Sequence, residues 1–522
     1  DVSILGLPAF SADGKTLLLA SSPSLRLFDT TTGKERFRAR HFAPVLPRFS
    51  ADGRTLFTSC FARRCRWDVS RTSPTLVREE TRKSWDCGIA YSHDHRLFLD
   101  SSETPIRLRE TATGRVLREL EGAGRTEFGL FSPDASRVLL GTNDYNRVNK
   151  VRLYDLKTGK ATGEIAPELG CGLPVISPDG RLVAWANGVG SVHLYDAVTG
   201  KMVRTLRPSK PLSEWDHVDA KLLFSSDGEQ LIVTTYDTSV SMTTPQPTRV
   251  FQVRGGREIL RFYANPTKTN RAEPLSCMVC SPDGRLQAVA EKYSGTIRLI
   301  ELASGTVRAE FAGHRHGIHG LAFAPDGKSL ASGGLDHVVF LWDVTGARTL
   351  AAKTARDIDL TSWWNDLASD EGQRAGLAIA GLLRGPDTSA AFLQKQLHPD
   401  ETPSEKRLAQ LIADLDADAF ETRDAASREL NRLGKRVEAA LRRELTQRPS
   451  LEMRRRIEFI LENLKSDTLP PETLRVIRAI EVLEHLDTSA ARHCLEALAK
   501  GVAEAPTTRE AKATLQRLAN RR

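Results

Sequence analysis

The 522-residue chain carries 74 Lys and Arg against 66 Asp and Glu, a net charge of +8, with 40% hydrophobic and 27% charged residues. That balance excludes a disordered polar tract, and the length exceeds what one ordinary core serves, so two or more domains are expected. Residues 351–522 hold 28 basic and 28 acidic side chains, so the whole excess falls in the first 350 residues; it suits acidic partners but is well short of a nucleic-acid-binding tract.

The opening DVSILGLPAF lacks a basic region and a long apolar run. No window approaches roughly 18 uninterrupted apolar residues, so no membrane-spanning helix and no membrane partner is expected. Seven cysteines show no disulfide-scaffold spacing, which favours reduced, cytoplasmic conditions.

From residue 9 onward one phrase recurs: AFSADGKT, RFSADGRT, AYSHDHRL, LFSPDASR, VISPDGRL, LFSSDGEQ, MVCSPDGRL and LAFAPDGKS. The shared aspartates, Asp13, Asp52, Asp94, Asp134, Asp179, Asp227, Asp283 and Asp326, are separated by 39, 42, 40, 45, 48, 56 and 43 residues. In each copy an apolar strand precedes the turn and another follows it, and Asp-Gly is strong hairpin punctuation because glycine accepts positive φ. A third strand comes about ten residues later, as in IRLRE and VRLYD. Its alternation gives one buried and one wetter face. A fourth follows a Thr-Gly turn. Four antiparallel strands per repeat, eight times, are the signature of an all-β propeller over residues 1–350. Eight blades are expected; seven, with one degenerate copy placed elsewhere, is the alternative.

These repeats resemble the WD40 family. The eighth, FAGHRHGIHGLAFAPDGKSLASGGLDHVVFLWD, is the most complete. The resemblance implies a structural tetrad of His314, Ser332, Asp336 and Trp342, in which imidazole, hydroxyl, carboxylate and indole bond in series. In the second copy Trp67-Asp68 keeps only its end.

After about Thr354 period-3.6 patterns replace alternation, so residues 351–522 read as an all-α domain of short amphipathic helices. Ser369-Asp370 caps the first of them, which ends at Gly385. Two phrases, FETRDAASRELNRLGKRVEAALRREL and RVIRAIEVLEHLDTSAARHCLEALAKG, resemble HEAT-type helical repeats; such pairs stack into solenoids whose faces bind proteins. The combination is similar to multidomain bacterial WD40 proteins.

Chemistry has few footholds. Thr-Gly-Lys at Gly33-Lys34, Gly159-Lys160 and Gly200-Lys201 lies between strands, where a phosphate loop needs a strand and a helix. Cys277 and Cys280 sit in a strand running into a turn and read as core thiols, with Ser281 where covalent haem attachment needs His. The run His314, His316 and His319 reads as a loop and not as a metal site. No metal or other cofactor is expected. Arg442, Arg443, Arg448, Arg454, Arg455 and Arg456 could grip phosphates, but interleaved glutamates and the lack of a stacking platform favour a solvated helix face.

The more promising surface is the propeller's upper face. On the WD40 pattern its loops bring Arg63, Arg64, Lys83, Trp85, Tyr145, Trp215, Tyr236 and Tyr263 toward one rim, and aromatics amid cations make binding hot spots. The expectation is a non-enzymatic scaffold for protein partners, in particular acidic or extended peptide segments. Two alternatives remain open: a propeller hydrolase or cofactor enzyme with its site in the central channel, and a nucleic-acid adaptor acting through the basic helices near 435–456.

Overall fold

The computed structural model describes residues 7–520 apart from connecting segments, the longest of them 82–89, 210–217, 238–246, 263–274 and 348–358. The chain divides into two compact units, Asp1–Leu302 with Glu310–Val344, and Ala303–Ala309 with Thr345–Arg522.

An eight-bladed β-propeller occupies the first part of the chain, its blades at 7–40, 45–81, 91–119, 128–165, 170–206, 218–262, 275–312 and 318–343. In the first blade Leu7–Phe10, Thr16–Ser21, Ser24–Asp29 and Glu35–Arg40 pair antiparallel in chain order. The others follow that plan except that, among the described residues, the eighth blade has three strands, Ile318–Phe323, Ser329–Gly334 and Val339–Asp343. In the third blade the first described strand is a single bridge, Tyr91 to Phe98.

Burial falls from the second strand outward, and the sequence patterns follow it. Second strands pack between two neighbouring blades and are apolar on both faces: Leu17, Leu18, Leu19 and Ala20 are all buried. Third strands alternate, as Ser24–Asp29 does. The fourth-strand segment Val116–Glu119 is exposed throughout. Among the described residues separate cores fill the seams between the first and second, third and fourth, fourth and fifth, and fifth and sixth blades; in the first of these Leu18, Leu25 and Leu27 meet Phe49, Leu56 and Trp67.

The repeated Ser-x-Asp-Gly phrase ties itself. Ser177 Oγ donates to Asp179 Oδ1 at 2.6 Å and accepts the Leu182 N–H at 2.9 Å. Asp179 also accepts the Arg181 N–H at 3.0 Å. Ser11 and Ser132 repeat the knot. In the described copies the glycine position is left-handed, at Gly14, Gly180, Gly228, Gly284 and Gly327, so Ala135, at φ 53°, sits where glycine stands in the related turns.

The proline of this phrase serves the neighbouring blade. A Cβ built on Gly180 would lie 3.7 Å from Pro133 Cδ, on Gly228 3.5 Å from Pro178, and on Gly327 4.0 Å from Pro282. Gly14 stands in the same relation to Pro325, at 3.6 Å. The first blade therefore meets the eighth as the fourth meets the fifth, the fifth the sixth and the seventh the eighth, and the strand Leu7–Phe10 packs beside Ile318–Phe323. The ring closes at eight.

The helical region comprises α1 (Leu360–Asp366), α2 (Gly372–Leu382), α3 (Pro386–Gln396), α4 (Glu405–Ala413), α5 (Phe420–Leu433), α6 (Glu438–Thr446), α7 (Leu451–Lys465), α8 (Pro471–Leu486), α9 (Ser489–Leu498) and α10 (Pro506–Asn520). It holds two cores. Leu382, Leu393, Ile480, Leu495 and Leu518 build one from α2, α3, α8, α9 and α10. Leu411, Leu430, Leu441, Ile457 and Ile460 build the other from α4 to α7, inserted between α3 and α8. The two phrases that resemble HEAT repeats fall one in each core.

Helix α8 is the buried strut of the larger core. Its fully buried Arg478 donates to the Leu367 and Ser369 carbonyls at 2.6 and 2.8 Å. Its Glu484 accepts two bonds from Arg517 of α10, at 3.1 and 2.8 Å. Helix α1 was not expected from the pattern; Asp359 caps it by accepting the Ser362 N–H at 2.9 Å. Glu371, and not Ser369-Asp370, occupies the N-cap position of α2.

Candidate functional site

Each blade has a turn end and a loop end. The knotted Ser-x-Asp-Gly turns and the Asp-x-x-Thr-Gly turns share the first. The latter are closed by an aspartate acting as a cap: Asp196 Oδ1 accepts the Val198 and Thr199 N–H groups at 3.1 and 2.8 Å and the Thr199 hydroxyl at 2.9 Å. Asp29 and Asp155 do the same. Backbone donors are thus consumed within the turn, and the Thr-Gly-Lys segments are turns between strands. Gly159 and Gly200 also press on the preceding blade, where a Cβ would come within 2.6 Å of Glu119 O and 2.5 Å of Glu164 O.

The loop end carries the longer connections, and four side chains of the eighth blade are bonded there in series. Trp342 Nε1–H donates to Ser332 Oγ at 2.8 Å. The Ser332 hydroxyl lies 2.7 Å from His314 Nε2, and His314 Nδ1 lies 3.0 Å from both Asp336 oxygens. With Trp342 donating to it, Ser332 donates onward to Nε2, which assigns the proton of a neutral imidazole to Nδ1 and aims it at Asp336. Burial works to raise the Asp336 carboxyl, but bonds from His314 and from the Arg315 and Val338 N–H groups outweigh it, so it stays below the usual carboxylate range. Phe340 packs edge-on to His314 at 4.8 Å, and Phe311 stacks on Trp342 at 5.2 Å. The second blade keeps a shorter version in which Trp67 Nε1–H donates to Thr58 Oγ1 at 3.0 Å. Thr58 escaped sequence reasoning because a threonine in a strand carries no signal of its own.

Of the eight residues expected at the upper rim, three have a described backbone. Arg63 and Arg64 open the strand Arg63–Asp68, pairing with Thr81 and Glu80, so they belong to a strand and not to the preceding loop. Tyr236 lies near the end of Gln230–Asp237, opposite Asp219. All three positions are at the loop end. Lys83, Trp85, Tyr145, Trp215 and Tyr263 lie outside the described residues.

Beside Tyr236 the sixth blade buries polar groups that sequence reasoning missed. Arg249 is buried, with Nη1 3.5 Å from Thr235 Oγ1. Thr234 and Thr248 hydroxyls lie 3.1 Å apart, and Gln287 of the seventh blade donates to Thr234 at 3.0 Å. The only sequence sign was a polar TTYD closing an apolar strand.

Among the described residues no group of three His, Cys, Asp or Glu side chains stands close enough to hold a metal ion. Burial pushes the Cys280 thiol up to about 12 and the Cys494 thiol up to about 11, opposite to what a nucleophilic cysteine requires. Of the basic run, Arg442 pairs with Glu438 at 2.8 Å and Arg456 with Glu452 at 2.7 Å. Arg443, Arg454 and Arg455 are exposed and hold no ion pair among the described residues, and Arg448 lies outside them. No helix of the described residues is long and apolar enough to cross a membrane.

The family described as "WD domain, G-beta repeat" matches residues 305–343, which contain the four bonded side chains. The chain is similar to apoptotic protease-activating factor 1 of Danio rerio, 26% identical over 256 residues, 47% of this chain and 19% of that one. Telomerase Cajal body protein 1 of Mus musculus is 30% identical over 182 residues, 35% and 32% of the two chains. The small ribosomal subunit protein RACK1 of Neurospora crassa is 28% identical over 92 residues, 17% and 29%. The chain thus spans less than a third of these relatives' own lengths. Among solved structures, the computationally designed Ika8 protein matches with a TM-score of 0.50 at 16% identity, over 66% of this chain and 97% of that one, a likeness of fold alone.

Proposed function

We propose that this protein is a non-enzymatic scaffold whose propeller loop end and helical surface receive protein partners. The observation that carries this reading is the asymmetry of the ring. The turn end is tied by short, self-bonded turns, whereas the loop end carries the longer connections, such as 238–247 between Gln230–Asp237 and Thr248–Gln252, and in the eighth blade the bonded series of Trp342, Ser332, His314 and Asp336. A rigid rim with variable loops separates recognition from folding. Arg63, Arg64 and Tyr236, with Lys83, Trp85, Tyr145, Trp215 and Tyr263 of the neighbouring loops, supply cations and aromatics suited to acidic or extended peptide segments. The relatives' names support the direction, since one is a ribosomal subunit protein and another belongs to Cajal bodies.

The test is affinity capture with the full chain from nuclease-treated lysate, read by mass spectrometry. A partner lost when Arg64, Trp85 and Trp215 become alanine supports the reading; capture that this triple variant leaves unchanged moves recognition off the rim.

A further inference from the structure

We propose that the outer face of helix α7 is a self-complementary surface through which two copies of this chain pair antiparallel. Leu451, Arg455, Glu458, Phe459 and Glu462 fall at i, i+4, i+7, i+8 and i+11, the spacing of one helix face. That face is turned away from the core, which α7 reaches through Met453, Ile457, Ile460 and Leu461. Leu451 and Phe459 are 68% and 64% exposed, and Phe420 at the start of α5 is 65% exposed. Arg423 of α5 lies 3.7 Å from Glu452, and Arg456 donates to Ser427 of α5 at 3.4 Å, which sets the two helices side by side. The patch is therefore a surface of two helices. Large exposed side chains gathered on one face mark interaction sites more often than scattered ones do.

The order of charge along α7 names the occupant. On this face Arg455, flanked by Arg454, comes first and Glu458 and Glu462 follow, while Glu452 is engaged by Arg456 and Arg423, so the face is positive toward its N-terminal half and negative toward its C-terminal half. A nucleic-acid backbone would meet the glutamates, and a uniformly acidic segment would meet them as well. A second copy running antiparallel matches both halves at once, as a two-fold interface requires. Centred at the level of Arg456 and Ile457, it sets Arg455 against the partner's Glu458 and places the Phe459 rings of both copies on the same flank of the seam. Arg455 holds no ion pair among the described residues, so it is available for that role. One helix face per copy is a small interface, so the dimer is weak, with a Kd on the order of 10 μM.

Sedimentation velocity of the full chain over a concentration series tests this. Wild type is expected to pass from monomer to dimer, with added salt shifting the midpoint upward. Arg455→Glu and Glu458→Arg each place like charges face to face and should raise the Kd at least tenfold, whereas the double swap Arg455→Glu/Glu458→Arg restores the pairing and the dimer. Phe459→Ser should abolish it. All three positions are exposed, and unchanged circular dichroism separates lost pairing from lost folding. A chain that stays monomeric throughout overturns the proposal, and so does a dimer that survives both single reversals or Phe459→Ser.

Discussion

Replacing Ser332 by alanine removes one oxygen and interrupts the bonded series of the eighth blade at its centre. The hydroxyl is fully buried and engaged twice, accepting from Trp342 at 2.8 Å and facing His314 Nε2 at 2.7 Å. His314 is itself buried, 6% exposed, so its Nε2 is left without water or partner, which costs about 1–3 kcal/mol. Trp342 is half-buried and water can reach its N–H, so that loss is about 1 kcal/mol. The sum is about 2–4 kcal/mol, large for a change that leaves almost no cavity. The assay is urea unfolding followed by far-ultraviolet circular dichroism, with imidazole 15N chemical shifts as a second readout. Ser332→Ala should lower the midpoint and let the His314 ring populate both tautomers. A stability within about 0.5 kcal/mol of wild type, with the tautomer unchanged, would refute the view that the hydroxyl organises the series.

Gly200→Ala and Gly33→Ala should separate strain from crowding. Both glycines are left-handed, at φ 71° and 68°, but only at Gly200 would a Cβ strike backbone, Glu164 O at 2.5 Å. Gly33→Ala should cost about 1 kcal/mol and Gly200→Ala at least about 2 kcal/mol, read as urea midpoints; equal costs would contradict the seam contact. Ala135→Gly should stabilise the protein by about 0.5–1 kcal/mol by relieving a left-handed alanine, and a loss of stability would show that the turn does not hold φ 53°. The Asp134 carboxyl, lowered first by its bond from Ser132, titrates at about 2. Its folded value lies below its unfolded one, so its contribution is complete above about pH 4 and is lost as pH falls toward 2. Carboxyl-detected NMR should find that Ser132→Ala moves this titration upward.

The propeller was legible because its punctuation is local. Asp-Gly fixes a turn, period-two alternation fixes a face, and the spacing of the turns fixes the number of blades. The other half of that punctuation was not legible. Nothing in Ser-Pro-Asp-Ala announces that Pro133 serves Gly180, because the contact joins neighbouring blades. Arg63 and Arg64 look like loop residues in CFARRC because two consecutive arginines hide the strand's alternation. In the helical region an apolar stripe shows that a helix buries one side, but not against which neighbour. The pattern around Leu430 and that around Ile480 are alike, yet they feed separate cores. Helix α1 escaped notice because seven residues with two adjacent tryptophans show no period.

The Pro–Gly contacts also prescribe an order of assembly. Pro133 and Gly180 are 47 positions apart, whereas Pro325 and Gly14, making the same contact, are 311 apart. In an unstructured chain the wider span costs about 1.7 kcal/mol more to close, so neighbouring blades dock first and the ring grows as an open arc. Until Ile318–Phe323 has been synthesised and folded, the strand Leu7–Phe10 has no blade on its far side. The nascent chain must therefore carry an uncovered blade face through most of the propeller's synthesis, and cooperativity arrives only with the closing blade, whose bonded series is the most complete among the described residues.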